Sequence, residues 1–164
     1  MCVPRVLNRR HLLSLVPGLV AAAALSGPLC ACGGGRTGPV AVRWGKENCD
    51  YCGMIIDDPH FAAEIRGPGG KLWKFDDIGC GAMFLCDKPW SADPHMEFWA
   101  GDVERGTWLD GRLAWYVAGP KSPMSYNFGA VAVARAGALS FADFRKAVAA
   151  HGSTGRCEHP APGA

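Results

Sequence analysis

The 164-residue sequence is poor in the features that mark several common function classes. It contains no run of Lys or Arg, and 17 Lys+Arg nearly balance 15 Asp+Glu, so there is no electrostatic footprint for nucleic acid. It has no Gly-rich phosphate loop, no Ser/His/Asp arrangement and no HExxH, and nothing in it would activate a substrate. The acid pairs Asp57-Asp58 and Asp76-Asp77 read as turn and cap residues rather than a hydrolase dyad. A zinc module would normally bring a second CxxC or a His pair, and neither is clear. The apolar stretch at residues 12–25 is about 14 residues long, against roughly 20 for a membrane span. The length excludes a large multidomain enzyme, and a 49% hydrophobic content argues against general disorder.

What is present begins with an address. Arg5, Arg9 and Arg10 precede the short apolar stretch, and small residues follow it, as in an export signal. Arg9-Arg10 also fits a twin-arginine signal. Leu29-Cys30-Ala31-Cys32 is similar to a bacterial lipobox, which would leave Cys32 as an acylated N-terminus. The expected organisation is a lipoprotein signal peptide at 1–31, a flexible tether at 32–39, one domain at 40–151 and a Gly/Pro-rich disordered tail at 152–164. Removing residues 1–31 takes away three Arg and no acid, which leaves a formal net charge of −1.

Within the domain, short apolar runs separated by Gly, Pro and Asp predict a small α+β fold. Strands are expected at 40–44, 61–65, 72–75, 96–100 and 128–133, with the second and third joined across Gly67-Pro68-Gly69-Gly70. Residues 108–117 read as strand, tight turn, strand around Asp110-Gly111. Asp76-Asp77 offers N-caps for a helix at 78–86, and Ser140 caps a second at 141–150, with Phe141, Phe144 and Val148 on one face. The order suggests two related β-rich units, each with one helix.

Eight Cys make soft-metal or thiol chemistry the main question. The densest constellation is Cys49-Asp50-Tyr51-Cys52-Gly53-Met54, followed by His60. Thiolate and thioether are soft donors that favour Cu(I) over hard cations. Gly53 allows the tight turn that would bring Cys52 and Met54 to one ion, and Met124, stiffened by Pro123, is a further soft donor. A plain disulfide or a thiol-redox pair of Cys49 and Cys52 is the alternative. Met83 and Met96 read as core, and Cys80 and Cys86 as buried thiols or a pair with each other.

Several elements occur in a telling order: Cys32, Cys49-x-x-Cys52-Gly53-Met54-Ile55-Ile56, Phe75-Asp76-Asp77-Ile78-Gly79, Ala114-Trp115-Tyr116-Val117 and Ser122-Pro123-Met124. In this the chain resembles the NosL family, copper-binding lipoprotein accessory factors of nitrous oxide reductase, over about residues 44–135. The resemblance implies a fold of two related ββαβ units and a lipid-anchored protein facing the periplasm. It implies a non-enzymatic carrier of Cu(I) that serves the copper centres of nitrous oxide reductase, together with an ABC-type maturation transporter. Carried over residue by residue, it implies Cys52, Met54 and Met124 as ligands. Cys49 stands where other members can have His, so it is a fourth ligand, a redox partner or a disulfide mate. Ser125-Tyr126-Asn127-Phe128-Gly129 departs from the short Gly-rich continuation expected after Met124.

Overall fold

A computed structural model of the chain describes residues 37–151. The expected signal, Cys32, most of the tether and the tail lie outside the described residues. Among the described residues, no helix is long and apolar enough to cross a membrane.

Two Gly-flanked runs form the centre of the fold. Strands β1 (Ala63–Arg66) and β2 (Leu72–Phe75) pair antiparallel across a one-turn 3-10 segment at Pro68–Gly70, in which Gly69 takes φ +67°. Helix α1 (Ile78–Cys86) follows at once, capped by Asp77, whose carboxylate accepts the Gly79 N–H at 2.8 Å. Strand β3 (Glu97–Gly101) returns beside β1, and β4 (Trp108–Asp110) pairs with β3, giving an antiparallel sheet of order β2-β1-β3-β4. The register sets Ala63 opposite Phe75 and Ala100, and Ile65 opposite Trp73 and Phe98. Because side chains alternate along a strand, these residues share one face, which is the core face.

Helix α1 buries seven of its nine residues, including Met83, between this face and the second helix. That burial explains why it is apolar all round rather than amphipathic. Strands β5 (Trp115–Ala118) and β6 (Phe128–Val131) form a separate antiparallel pair, and α2 (Phe141–His151) packs against β5 and α1. Ser140 caps α2 by accepting the Asp143 N–H at 3.2 Å. Phe144 stacks on Tyr116 at 3.9 Å between ring centroids, and the buried Tyr116 hydroxyl donates to the Gly111 carbonyl at 2.6 Å. Met96 is buried in the same core.

The mixed α+β class agrees with expectation, and three details do not. Residues 40–44 form no strand. Their backbone is held instead by charged side chains from the sheet: Glu64 accepts the Val40 N–H at 2.8 Å, and the Lys74 ammonium donates to the Ala41 carbonyl at 3.0 Å. Just before them, the Gly38 N–H donates to Glu97 and its carbonyl accepts from Arg66. The turn at Asp110-Gly111 is not a hairpin, because β4 and β5 belong to different sheets. The Gly111 N–H donates to the Phe98 carbonyl at 2.7 Å, so the turn ends on β3 and hands the chain to the other sheet. The first half runs β1-β2-α1-β3, whereas the second runs β4-β5-β6-α2, with no strand after α2 among the described residues.

Candidate metal centre

The CxxC loop is shaped by its own backbone. The Cys49 N–H donates to the Met54 carbonyl at 2.7 Å and the Gly53 N–H to the Cys49 carbonyl at 3.0 Å. That closure needs φ +80° at Gly53, a left-handed conformation suited to glycine. Asp50 then fastens the loop to the free edge of β2. Its N–H donates to the Lys74 carbonyl at 2.8 Å, and its carboxylate accepts the Lys74 N–H at 2.7 Å. The loop therefore lies beside the point where β2 ends and α1 begins, which is where Asp76, Asp77 and Cys80 stand.

This docking brings four donors together. Sulfur atoms of Cys49, Cys52 and Cys80 and a carboxylate oxygen of Asp76 all lie within 4.8 Å of one another. The Cys52 thiol donates to Asp76 Oδ1 at 3.2 Å, while Asp76 Oδ2 is buried with no hydrogen-bond partner. Three sulfurs at about 2.3 Å from a common ion stand roughly 4 Å apart, so a small contraction would close this set on a soft metal. The thiols are not alike. A hydrogen bond with the Cys80 thiol pulls Cys49 down to about 7, and burial pushes Cys52 up to about 12. Cys80 is raised, first by that bond to Cys49 and then by burial.

The two methionines lie further out. A cavity of about 530 Å³ is lined by Gly53, Met54, Asp76 and Pro123, so Met54 and the Pro-Met element border the space that reaches Asp76. Exposure falls inward: Met54 is 57% exposed, Met124 37%, Cys52 is half-buried, Cys49 is 4% exposed and Cys80 0%. Met124 is placed by Asp77, which is fully buried and accepts the Met124 N–H at 2.9 Å as well as its helix-capping bond. The Ser122 hydroxyl is a third partner of that carboxylate, whose own affinity for a proton is raised by burial. After Met124, Ser125 and Asn127 adopt φ +61° and +59°. They take the left-handed conformations that Gly would otherwise supply, and set Tyr126 against the cluster. The Tyr126 ring fills the space above Gly79, where an added Cβ would come within 2.2 Å of it.

Of the expected ligands, Cys49 and Cys52 enter the four-donor cluster, Met54 lines the cavity that reaches Asp76, and Met124 follows Pro123 of the same cavity wall. His60 is not in that group. Its Nδ1 lies 2.8 Å from Asp58 Oδ1, and its ring sits beside Gly106. The sequence reads Asp76 as a turn or cap residue and Cys80 as a buried thiol; Cys80 is indeed buried and free, and both enter the cluster. Asp77 is the cap, which frees its neighbour Asp76 for the cluster. Cys80 and Cys86 are not a pair, since Cys80 is a free thiol and Cys86 is disulfide-bonded. The signal that could have found Cys80 is its place in the first turn of α1, immediately after the Phe75-Asp76-Asp77 element.

No protein-family model matches the chain, and no curated protein sequence does. Among solved structures, the crystal structure of the copper chaperone NosL from Shewanella denitrificans is similar, with a TM-score of 0.50 at 19% identity. The match covers 69% of this chain and 87% of that one. At that identity the likeness concerns the fold.

Proposed function

We propose that this chain is a copper carrier: it binds Cu(I) at the Cys49–Met54 loop and hands it on by ligand exchange. The observation that carries the reading is the clustering of three free thiols and a partnerless buried carboxylate oxygen, with Met54 on the wall of the cavity that reaches Asp76. Soft sulfur donors suit Cu(I), and a site with few ligands and an open side leaves the ion accessible to an acceptor. Cys52, Met54 and Met124 are the rim ligands in this reading, with Cys49 behind them and no role for His60. The fold shared with a copper chaperone supports the assignment. The lipobox at Cys32 and the ordered motifs extend it to a lipid-anchored protein on the periplasmic side of a bacterial membrane. On that basis the acceptor is nitrous oxide reductase, reached with its ABC-type maturation transporter.

Anaerobic Cu(I) titration against a competing chelator tests the metal. Cys52→Ser should weaken binding at least about 100-fold, because it removes the thiolate common to every ligand set considered. Unchanged affinity would overturn the assignment. The alternative of a thiol–disulfide oxidoreductase using Cys49 and Cys52 has a specific difficulty. A disulfide-exchange nucleophile must be both activated and accessible, yet the sulfur with lowered proton affinity is the buried Cys49.

A further inference from the structure

We infer that the carrier has two copper positions that share Cys52: an outer one with Met54 and Met124, and an inner one with Cys49. This rests on the Cu(I)-carrier reading and says where within the site the ion resides. The inner position follows from depth and charge. Cys49, Cys80 and Asp76 are all at least 95% buried, and their donor atoms lie within 4.8 Å of Cys52 Sγ, the half-buried member of the set. Ionising all three thiols beside a carboxylate would bury four negative charges against a single positive one, which a low-dielectric site disfavours strongly. Two thiolates, from Cys49 and Cys52, suffice for Cu(I). Cys80, fully buried with its sulfur within 4.8 Å of the Cys49 sulfur, then packs against that ligand and acts as a positioning residue.

The inward step balances without any change of oxidation state. Cu(I) keeps its bond to Cys52, gains one to Cys49 and releases the Met54 and Met124 thioethers. The Cys49 proton is released to solvent. Asp76 Oδ1 has meanwhile lost the Cys52 S–H that it accepts in the metal-free protein. Outward transfer reverses each event, with the thioethers taking the ion as Cys49 recovers its proton. The rim therefore governs how fast copper leaves, and the inner pair governs how tightly it rests.

X-ray absorption at the copper edge of the full chain loaded with one equivalent of Cu(I) should show two short thiolate–copper distances and no thioether shell. Cys49→Ser should weaken binding at least about tenfold and change that shell to one thiolate with longer thioether contacts. The Met54→Leu/Met124→Leu double variant should slow transfer to a chelator at least about tenfold. Cys80→Ala should weaken binding about fivefold, and Cys80→Ser, which retains a donor, should restore most of it. A thioether in the wild-type shell, or unchanged affinity and spectrum in Cys49→Ser, would overturn the inner position. If Cys52→Ser still loses binding in that case, the carrier reading stands and only the two-position scheme falls. Loss of binding in neither variant overturns both.

Discussion

The region around α2 and the region around the first turn of α1 bury different side chains by opposite means. At α2 the buried rings satisfy one another: Phe144 lies flat on Tyr116, Phe128 meets Phe144 edge-on, and the Tyr116 hydroxyl has its carbonyl partner, while Arg145 Nε at the edge of this core is buried without one. At α1 the groups are two buried thiols, the half-buried Cys52 thiol and two buried carboxylates, and one carboxylate oxygen has no partner at all. The aromatic stack is complete as folded. The second leaves a polar group in the interior that costs stability until something positive arrives. The proposed metal site can be built this way because the surrounding aromatic core holds the backbone while the donors stay unsaturated.

Substitutions at each region should separate these roles. The largest effect is expected from Phe144→Ala, which removes a fully buried ring from the stack. It should cost about 3–5 kcal/mol in denaturant unfolding while leaving the Cu(I) affinity of the folded fraction nearly unchanged. A large loss of affinity in the folded protein would show that the two regions are not independent. Asp77→Ala strikes the joint between them, since one buried carboxylate caps α1 and holds the Met124 amide. A stability loss of about 2–3 kcal/mol is expected, together with slower copper transfer, readable by stopped-flow exchange with a chelator. Restoring the cap alone, as in Asp77→Ser, should recover stability more than transfer rate.

Acid should act on the copper region before the aromatic one. With its proton affinity pushed up to about 12, Cys52 is protonated in the metal-free protein across the neutral range, so binding must displace a proton. Cu(I) affinity should fall at least about tenfold for each unit of pH lowered between 8 and 6, as measured by competition titration. A flat profile would mean that Cys52 is not a ligand. The smallest effect is expected at the strap over the outer side of the sheet. Glu47 is held down to about 2, chiefly by its bond with Lys74 at 2.7 Å and then by Arg43. Since the folded value lies below the ordinary 4.5, this contribution is present above about pH 4.5 and is lost as pH falls through about 2. Lys74→Met should raise the Glu47 value, seen by NMR titration, and cost less than ~1 kcal/mol at neutral pH.

Local signals in the chain determined a good deal. Apolar runs bounded by Gly and Asp located β2 and α1 to the residue, and Ser140 marked the start of α2, because capping and strand periodicity are short-range physics. Gly53 announced the turn of the Cys loop for the same reason, since a backbone closed at positive φ needs a residue without a Cβ. The soft-donor motif was also legible, because CxxC-Gly-Met is contiguous. The tertiary structure alone decided that residues 40–44 are strapped by side chains rather than paired, since the competitors for their backbone, Glu64 and Lys74, lie more than twenty residues away. It also decided that β4 and β5 part into different sheets. Above all, it brought Asp76 and Cys80 to Cys49 and Cys52, through the grip of Asp50 on the β2 edge. The chemistry of a donor is written in its residue type, but its partners are set by which distant backbone it folds against.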